Sequence, residues 1–115
     1  MPKGKRTAIG ATVTTRAEFT DWNGKPSVRL DLTSAAGPLH VYVGPDHRLA
    51  SSVPHRTLRI TSGVGRGGRI LHRERTRGWD GARCTRLDLD DNVHLYAEGN
   101  HPLGRLKPGA RLAIC

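Results

Sequence analysis

The chain has 115 residues, 36% hydrophobic and only 4% aromatic, which bounds it to one domain or two very small, closely packed ones with a core of Val, Leu, Ile and Ala. Its 19 Lys and Arg against 10 Asp and Glu give a formal charge of +9 and a pI near 10.8, favouring polyanions, nucleic acid before an anionic membrane. Two cysteines exclude a disulfide scaffold and lack zinc-site spacing, and neither an apolar span nor a signal-peptide hydrophobic region is found, so reduced thiols, no membrane and a cytosolic setting are expected.

Residues 1–6 form a basic arm in which Lys3, Lys5 and Arg6 are available to phosphates. Over residues 8–19 the odd positions Ile9, Ala11, Val13, Ala17 and Phe19 oppose Thr12, Thr14, Arg16 and Glu18, the period-two signature of a strand, with Gly10 suggesting a bulge. Asn23-Gly24 and Pro26 mark a tight turn. A hairpin follows in which Val28, Leu30, Leu32, Leu39, Val41 and Val43 point inward, leaving Arg29, Asp31, His40 and Tyr42 outside. Residues 44–54 are turn formers with room for at most one helical turn, and residues 57–61 read as a fourth strand.

A Gly-rich basic connector, residues 62–68, precedes residues 69–77. If these are extended, Arg69, Leu71, Arg73, Arg75 and Arg77 share one face; a helix is the competing reading. Residues 84–89, 93–97 and 112–114 then read as three short strands separated by turns at 90–92 and 108–109.

The second half repeats the first. Trp22, Gly24, Arg29, Leu30, Asp31 and Leu32 meet Trp79, Gly81, Arg86, Leu87, Asp88 and Leu89 at an offset of 57 residues. After a turn three residues shorter, the offset becomes 54, and Leu39-His-Val-Tyr42 meets Val93-His-Leu-Tyr96. His47, Leu49, Pro54, Leu58 and Ile60 continue the match onto His101, Leu103, Pro108, Leu112 and Ile114. A gap confined to a turn is what duplication of a folded unit leaves. The expected fold is therefore all-β, a small barrel in one domain built from a duplicated four-stranded unit, residues 7–61 and 69–115.

Charge is concentrated as well. Residues 48–86 hold ten Arg, with Glu74 and Asp80 the only acids. In an extended strand alternate residues lie about 6.6 Å apart, so Arg73, Arg75 and Arg77 form a comb at roughly the phosphate spacing of a stretched single strand. An edge strand whose charges block aggregation is the plainer alternative. Trp22, Trp79, Tyr42 and Tyr96 occupy equivalent places in the two copies; rings beside Arg suit base stacking, although turn tryptophans also serve as core lids and outward tyrosines as cross-strand packing. The six His are scattered, and no nucleophile motif, phosphate loop or dinucleotide fingerprint is present, so neither an enzyme nor a metal or cofactor is expected.

The order of a long strand with an internal Gly, the Asn-Gly-Lys turn, Val28-Arg-Leu-Asp-Leu32, a Gly-Pro turn, Leu39-His-Val-Tyr-Val43 and Pro54-His-Arg-Thr-Leu-Arg-Ile60 resembles the start of an OB-fold nucleic-acid-binding domain. The resemblance covers residues 9–60 and implies binding of single-stranded DNA or RNA on the second and third strands, here Trp22, Arg29, Tyr42 and the 63–68 loop. Duplication departs from a single OB-fold and requires either two abbreviated barrels or one closed barrel of two halves. The expected function is non-enzymatic single-stranded nucleic-acid binding through Arg29, Arg59, Arg66, Arg69, Arg73, Arg75, Arg77 and Arg86, with Tyr42 and Tyr96 stacking on bases. The alternative is a protein-interaction module for an acidic partner; a small nuclease using the paired His is a third reading.

Overall fold

A computed structural model describes residues 7–63, 67–78 and 81–115; the basic arm, Arg66 of the connector, Trp79 and Asp80 lie outside the described residues. Wherever apolar residues alternate with polar ones, one face of the chain is buried and a strand forms. Eight result: β1 (Thr7–Thr20), β2 (Pro26–Ser34), β3 (Gly37–Val43), β4 (Thr57–Ser62), β5 (Gly68–Arg77), β6 (Arg83–Leu89), β7 (His94–Glu98) and β8 (Arg111–Ile114). The competition over residues 69–77 is settled in favour of a strand. All neighbours pair antiparallel, and the sheet closes into a barrel in the order β1-β2-β3-β7-β6-β5-β8-β4.

Each copy supplies one four-stranded half, β4-β1-β2-β3 or β8-β5-β6-β7, and the two halves join along two seams. On the β3–β7 seam Val41 faces Leu95, its own counterpart, while His40 faces Tyr96 and Tyr42 faces His94. On the β4–β8 seam Ile60 faces its counterpart Ile114. A two-fold axis relating the copies therefore passes through both pairs, and of the two arrangements open to a duplicated chain this is the single closed barrel.

Finer features obey the same axis. The 3-10 turns Arg48–Ser51 and Pro102–Arg105 stand 54 residues apart, capped by His47 and His101, whose Nδ1 atoms accept the backbone N–H of Leu49 (3.1 Å) and Leu103 (3.2 Å). Beneath them Leu30, Leu39, Leu58 and Ile60 from one half meet Leu87, Leu95, Leu112 and Ile114 from the other, each at most 2% exposed. At this strand number side chains fill the interior, so the barrel encloses a packed core rather than a lumen.

A β-bulge in each half alters the expected facing. The register slips between Val13 and Thr15 in β1 and between Ile70 and His72 in β5, again 57 residues apart. Cross-strand partners share a face. After the first slip Arg16 pairs with buried Leu30 while Ala17 pairs with outward Arg29, so Ala17 and Phe19 lie outside, contrary to unbroken alternation. After the second, Arg73 pairs with buried Leu87 and Arg75 with Thr85, which separates them from Arg69 on the opposite face. The bulges, not Gly10, bend the long strands: Gly10 pairs regularly with Arg59.

Two glycines separate backbone necessity from accident. At Gly67, where φ is +89°, an added Cβ would lie 2.5 Å from the Leu112 carbonyl oxygen; at Gly10 the nearest atom, Thr57 Cγ2, is 3.9 Å away. Gly67→Ala is expected to cost about 2 kcal/mol or more, the sum of left-handed strain and overlap. Gly10→Ala should be neutral or stabilising by up to about 1 kcal/mol, because it only restricts the unfolded chain. Urea unfolding midpoints of the two variants check the contrast.

Candidate anion-binding cleft and aromatic seam

Beyond the bulges, the β1–β2 and β5–β6 hairpins turn polar side chains toward the end of the barrel. In both, the first arginine is tied down: Arg16 Nε donates to the Ala50 carbonyl at 2.6 Å and Arg73 Nε to the Gly104 carbonyl at 2.8 Å, each on the neighbouring 3-10 turn. Past this shared anchor the halves diverge. The first continues with Glu18, Thr20, Pro26 and Ser51; the same positions of the second are Arg75, Arg77, Arg83 and Arg105.

Glu18 neutralises Arg16 through an ion pair of 2.7 Å. In the second half the five arginines 73, 75, 77, 83 and 105 line one cleft of about 470 Å³ without a carboxylate among its described lining residues. Arg77 Nη1 donates to the Gly81 carbonyl at 3.0 Å, which fixes its direction. The side chains of Arg75, Arg83 and Arg105 have no hydrogen-bond or ion-pair partner among the described residues. Three guanidiniums without partners among the described residues, converging on one concavity, repel one another, and an anion there would relieve the repulsion.

The second constellation is the outer face of the β3–β7 seam and its flanks. Each half contributes an Arg-Asp-His set: Asp31 lies 3.2 Å from Arg29 Nε and 2.8 Å from His40 Nδ1, and Asp88 lies 3.2 Å from Arg86 Nε and 2.7 Å from His94 Nδ1. The Arg contacts are ion pairs whose angles fall short of hydrogen bonds. Arg86 is also 3.0 Å from Glu74. Between the sets, near the axis, the half-buried Tyr42 and Tyr96 meet edge to face with centroids 5.2 Å apart, and Phe19 adds a second edge contact on Tyr42 at 5.8 Å. Burial pushes the Tyr42 phenol up, while Arg29 beside it pulls the other way.

Symmetry is broken here too. Glu98 occupies the position of Gly44, and its Oε2 lies 2.5 Å from His40 Nε2. A neutral imidazole donates from one nitrogen only, so a carboxylate on each nitrogen calls for the imidazolium. Burial opposes that charge, but Glu98 and Asp31 outweigh it and raise the His40 pKa. His101, by contrast, is 2% exposed, and burial lowers its pKa. Its Nδ1 accepts the Leu103 N–H and its Nε2 lies 3.0 Å from Ser34 Oγ, which itself donates to the Gly37 carbonyl, so the neutral Nε2–H form satisfies all three contacts.

The ten candidate residues thus fall into separate places. Arg73, Arg75 and Arg77 share the cleft. Arg29 and Tyr42, Arg86 and Tyr96 stand beside each other in register on the seam face. Arg69 pairs with Arg111, away from both. Arg59 lies exposed on β4, four strands round the barrel from β7 and so on the opposite wall. Arg66 falls outside the described residues. Trp22 is no lid, being 93% exposed at the β1–β2 turn. Arg83 and Arg105 were not singled out from sequence, although aligning the copies and reading where the second gains charge marks both. Among the described residues no group of three or more His, Cys, Asp or Glu could hold a metal, and no helix is long and apolar enough to cross a membrane. No protein-family model, no curated protein and no solved structure matches the chain.

The two histidines titrate in opposite senses. The raised pKa of His40 gives stability fully present below its unfolded value near 6.5 and lost as pH rises through the folded value; the lowered pKa of His101 gives stability fully present above 6.5 and lost as pH falls through its folded value. His40→Gln is therefore expected to flatten the fall in stability as pH rises above about 6.5, and His101→Asn, which keeps a capping side chain, to flatten the fall as pH drops below about 6.5. Urea midpoints at three pH values separate the two limbs.

Proposed function

We propose that this barrel is a non-enzymatic polyanion-binding protein that takes the phosphate backbone of single-stranded DNA or RNA in the arginine cleft of its second half. The observation that carries the reading is the difference between the copies. Four cleft arginines, Arg75, Arg77, Arg83 and Arg105, replace Glu18, Thr20, Pro26 and Ser51 on an otherwise common frame, and three of them have no partner among the described residues.

A strand that merely blocks edge pairing does not require its charges to converge, whereas these come from β5, β6 and a 3-10 turn onto one concavity. Arg73, Arg75 and Arg77 alternate along β5 at about the phosphate spacing of an extended single strand. The cation is the guanidinium throughout, which suits the bidentate geometry of phosphate.

Binding of this kind is governed by counterion release. Arg75→Ala, Arg83→Ala and Arg105→Ala combined should weaken single-strand affinity for every sequence and flatten the slope of log K against log salt by about 2, at ~0.7 per phosphate lost. Fold stability should hardly change, since these are exposed side chains without partners among the described residues. Fluorescence titrations over a salt series measure both quantities, and an unchanged slope would place the binding elsewhere.

A further inference from the structure

Across the β6 ribbon from the arginine cleft, on the outer face of the sheet, lies a second cavity of about 210 Å³. Tyr42 and Tyr96 line it from β3 and β7, Ala82 and Gly78 from the β5–β6 turn, and Arg77 borders both cavities. Glu98 is the one carboxylate among its described lining residues. His40 engages Oε2 of that carboxylate and so holds its direction, leaving the other oxygen and further lone pairs as acceptors.

Tyrosine rings offer π-faces to a planar heterocycle, and a lone carboxylate at the same cavity asks for N–H donors. An acidic peptide or sulfated carbohydrate brings more negative charge and no such ring. A nucleobase carrying N–H groups satisfies both demands. Apart from His40 and Tyr42, the described lining residues belong to the copy that bears the arginine cleft, and Glu98 likewise has no acidic counterpart, since Gly44 stands in its place.

Resting on the polyanion reading above, we propose that this cavity receives one base of a single strand whose phosphates lie in the arginine cleft, the strand turning over the hairpin end at Arg77, and that Glu98 selects guanine. The N1–H and N2–H groups of guanine form adjacent donors that a carboxylate accepts together. Cytosine and adenine each offer an amino group beside a ring-nitrogen acceptor. Thymine and uracil offer a single N–H flanked by two carbonyl oxygens, which a carboxylate repels. No bond is made or broken, and Glu98 acts only as a specificity-determining acceptor.

The test is an anisotropy titration of a labelled thymidine homopolymer strand against the same strand with a single guanine placed at the 5′ end, the middle or the 3′ end. At least one guanine strand is expected to bind on the order of tenfold tighter, as a well-formed bidentate base contact gives. Glu98→Gln should bring that ratio to about one. Ala82→Phe, which crowds the cavity while keeping both His40 and Glu98, should do the same, and thermal melts followed by circular dichroism confirm that each variant is folded. Equal binding of all strands by the unaltered protein overturns the base pocket while leaving the cleft intact. A guanine preference that survives both variants removes it from this cavity. If no strand binds at all, the polyanion reading falls and this inference with it.

Discussion

Everything in this molecule depends on the meeting of open sheet edges. A four-stranded half has two edges, β3 and β4, each a row of unpaired backbone N–H and C=O groups, and at about 57 residues it is too small to bury a self-sufficient core. Antiparallel pairing with the edges of a second copy removes both deficits together. The pairs Val41–Leu95 and Ile60–Ile114 mark where each edge meets its own counterpart, and because side chains alternate with period two, fixing those pairs fixes the facing of every other residue on the seams. Tyr42 and Tyr96 touch for this reason. Neither would have its neighbour in an isolated half.

Within that frame, what the copies share holds the fold together, and what they do not share sets their surface charge apart. The paired bulges, the His-capped 3-10 turns, the arginine anchors onto Ala50 and Gly104, and the Arg-Asp-His sets recur at constant offsets. Each removes a local cost: an orphan N–H at a turn, a carbonyl at the barrel end, a carboxylate on an exposed face. The unshared residues behave differently. Arg75, Arg83 and Arg105 satisfy nothing among the described residues, and Glu98 places a second carboxylate on an imidazole that already had one. The three arginines lower no local cost and Glu98 keeps a free acceptor oxygen beyond its contact with His40, which is why they are the places to look for a ligand.

Much of the fold was legible because duplication writes each message twice. The succession of strands along the chain, the inward residues of β2 and β3, and the short helical turn after them follow from alternation and turn formers, and the repeat favours a barrel shared between halves. Facing beyond the bulges was not legible. Thr14 and Leu71 look like ordinary strand residues, and a one-residue slip is set by what the distant partner strand requires rather than by any local propensity. That slip reverses the side on which Ala17 and Phe19 lie and parts Arg73, Arg75 and Arg77 from Arg69, so the single face expected for residues 69–77 does not form, while the comb of Arg73, Arg75 and Arg77 stays on one side of β5. Arg83 and Arg105 were hidden for another reason. They come from different elements, and only tertiary structure brings a strand and a 3-10 turn onto one concavity.

The closed barrel also limits where binding can occur. With eight strands the interior is full of leucine and isoleucine, and an inward polar substitution would leave a buried unpaired group at a cost of roughly 1–3 kcal/mol. The polar surface open to a ligand is therefore that of the outer face and of the hairpin ribbons that run past the core. These ribbons are long enough to carry several side chains after the bulge but pack against little, so charge gathers there with small effect on folding. The bulge links the two requirements. It ends the buried face at Ile70 and hands the same side of the strand, three residues later, to Arg73, so one extra residue converts a core strand into an arginine-bearing ribbon whose pairing with β6 resumes at His72.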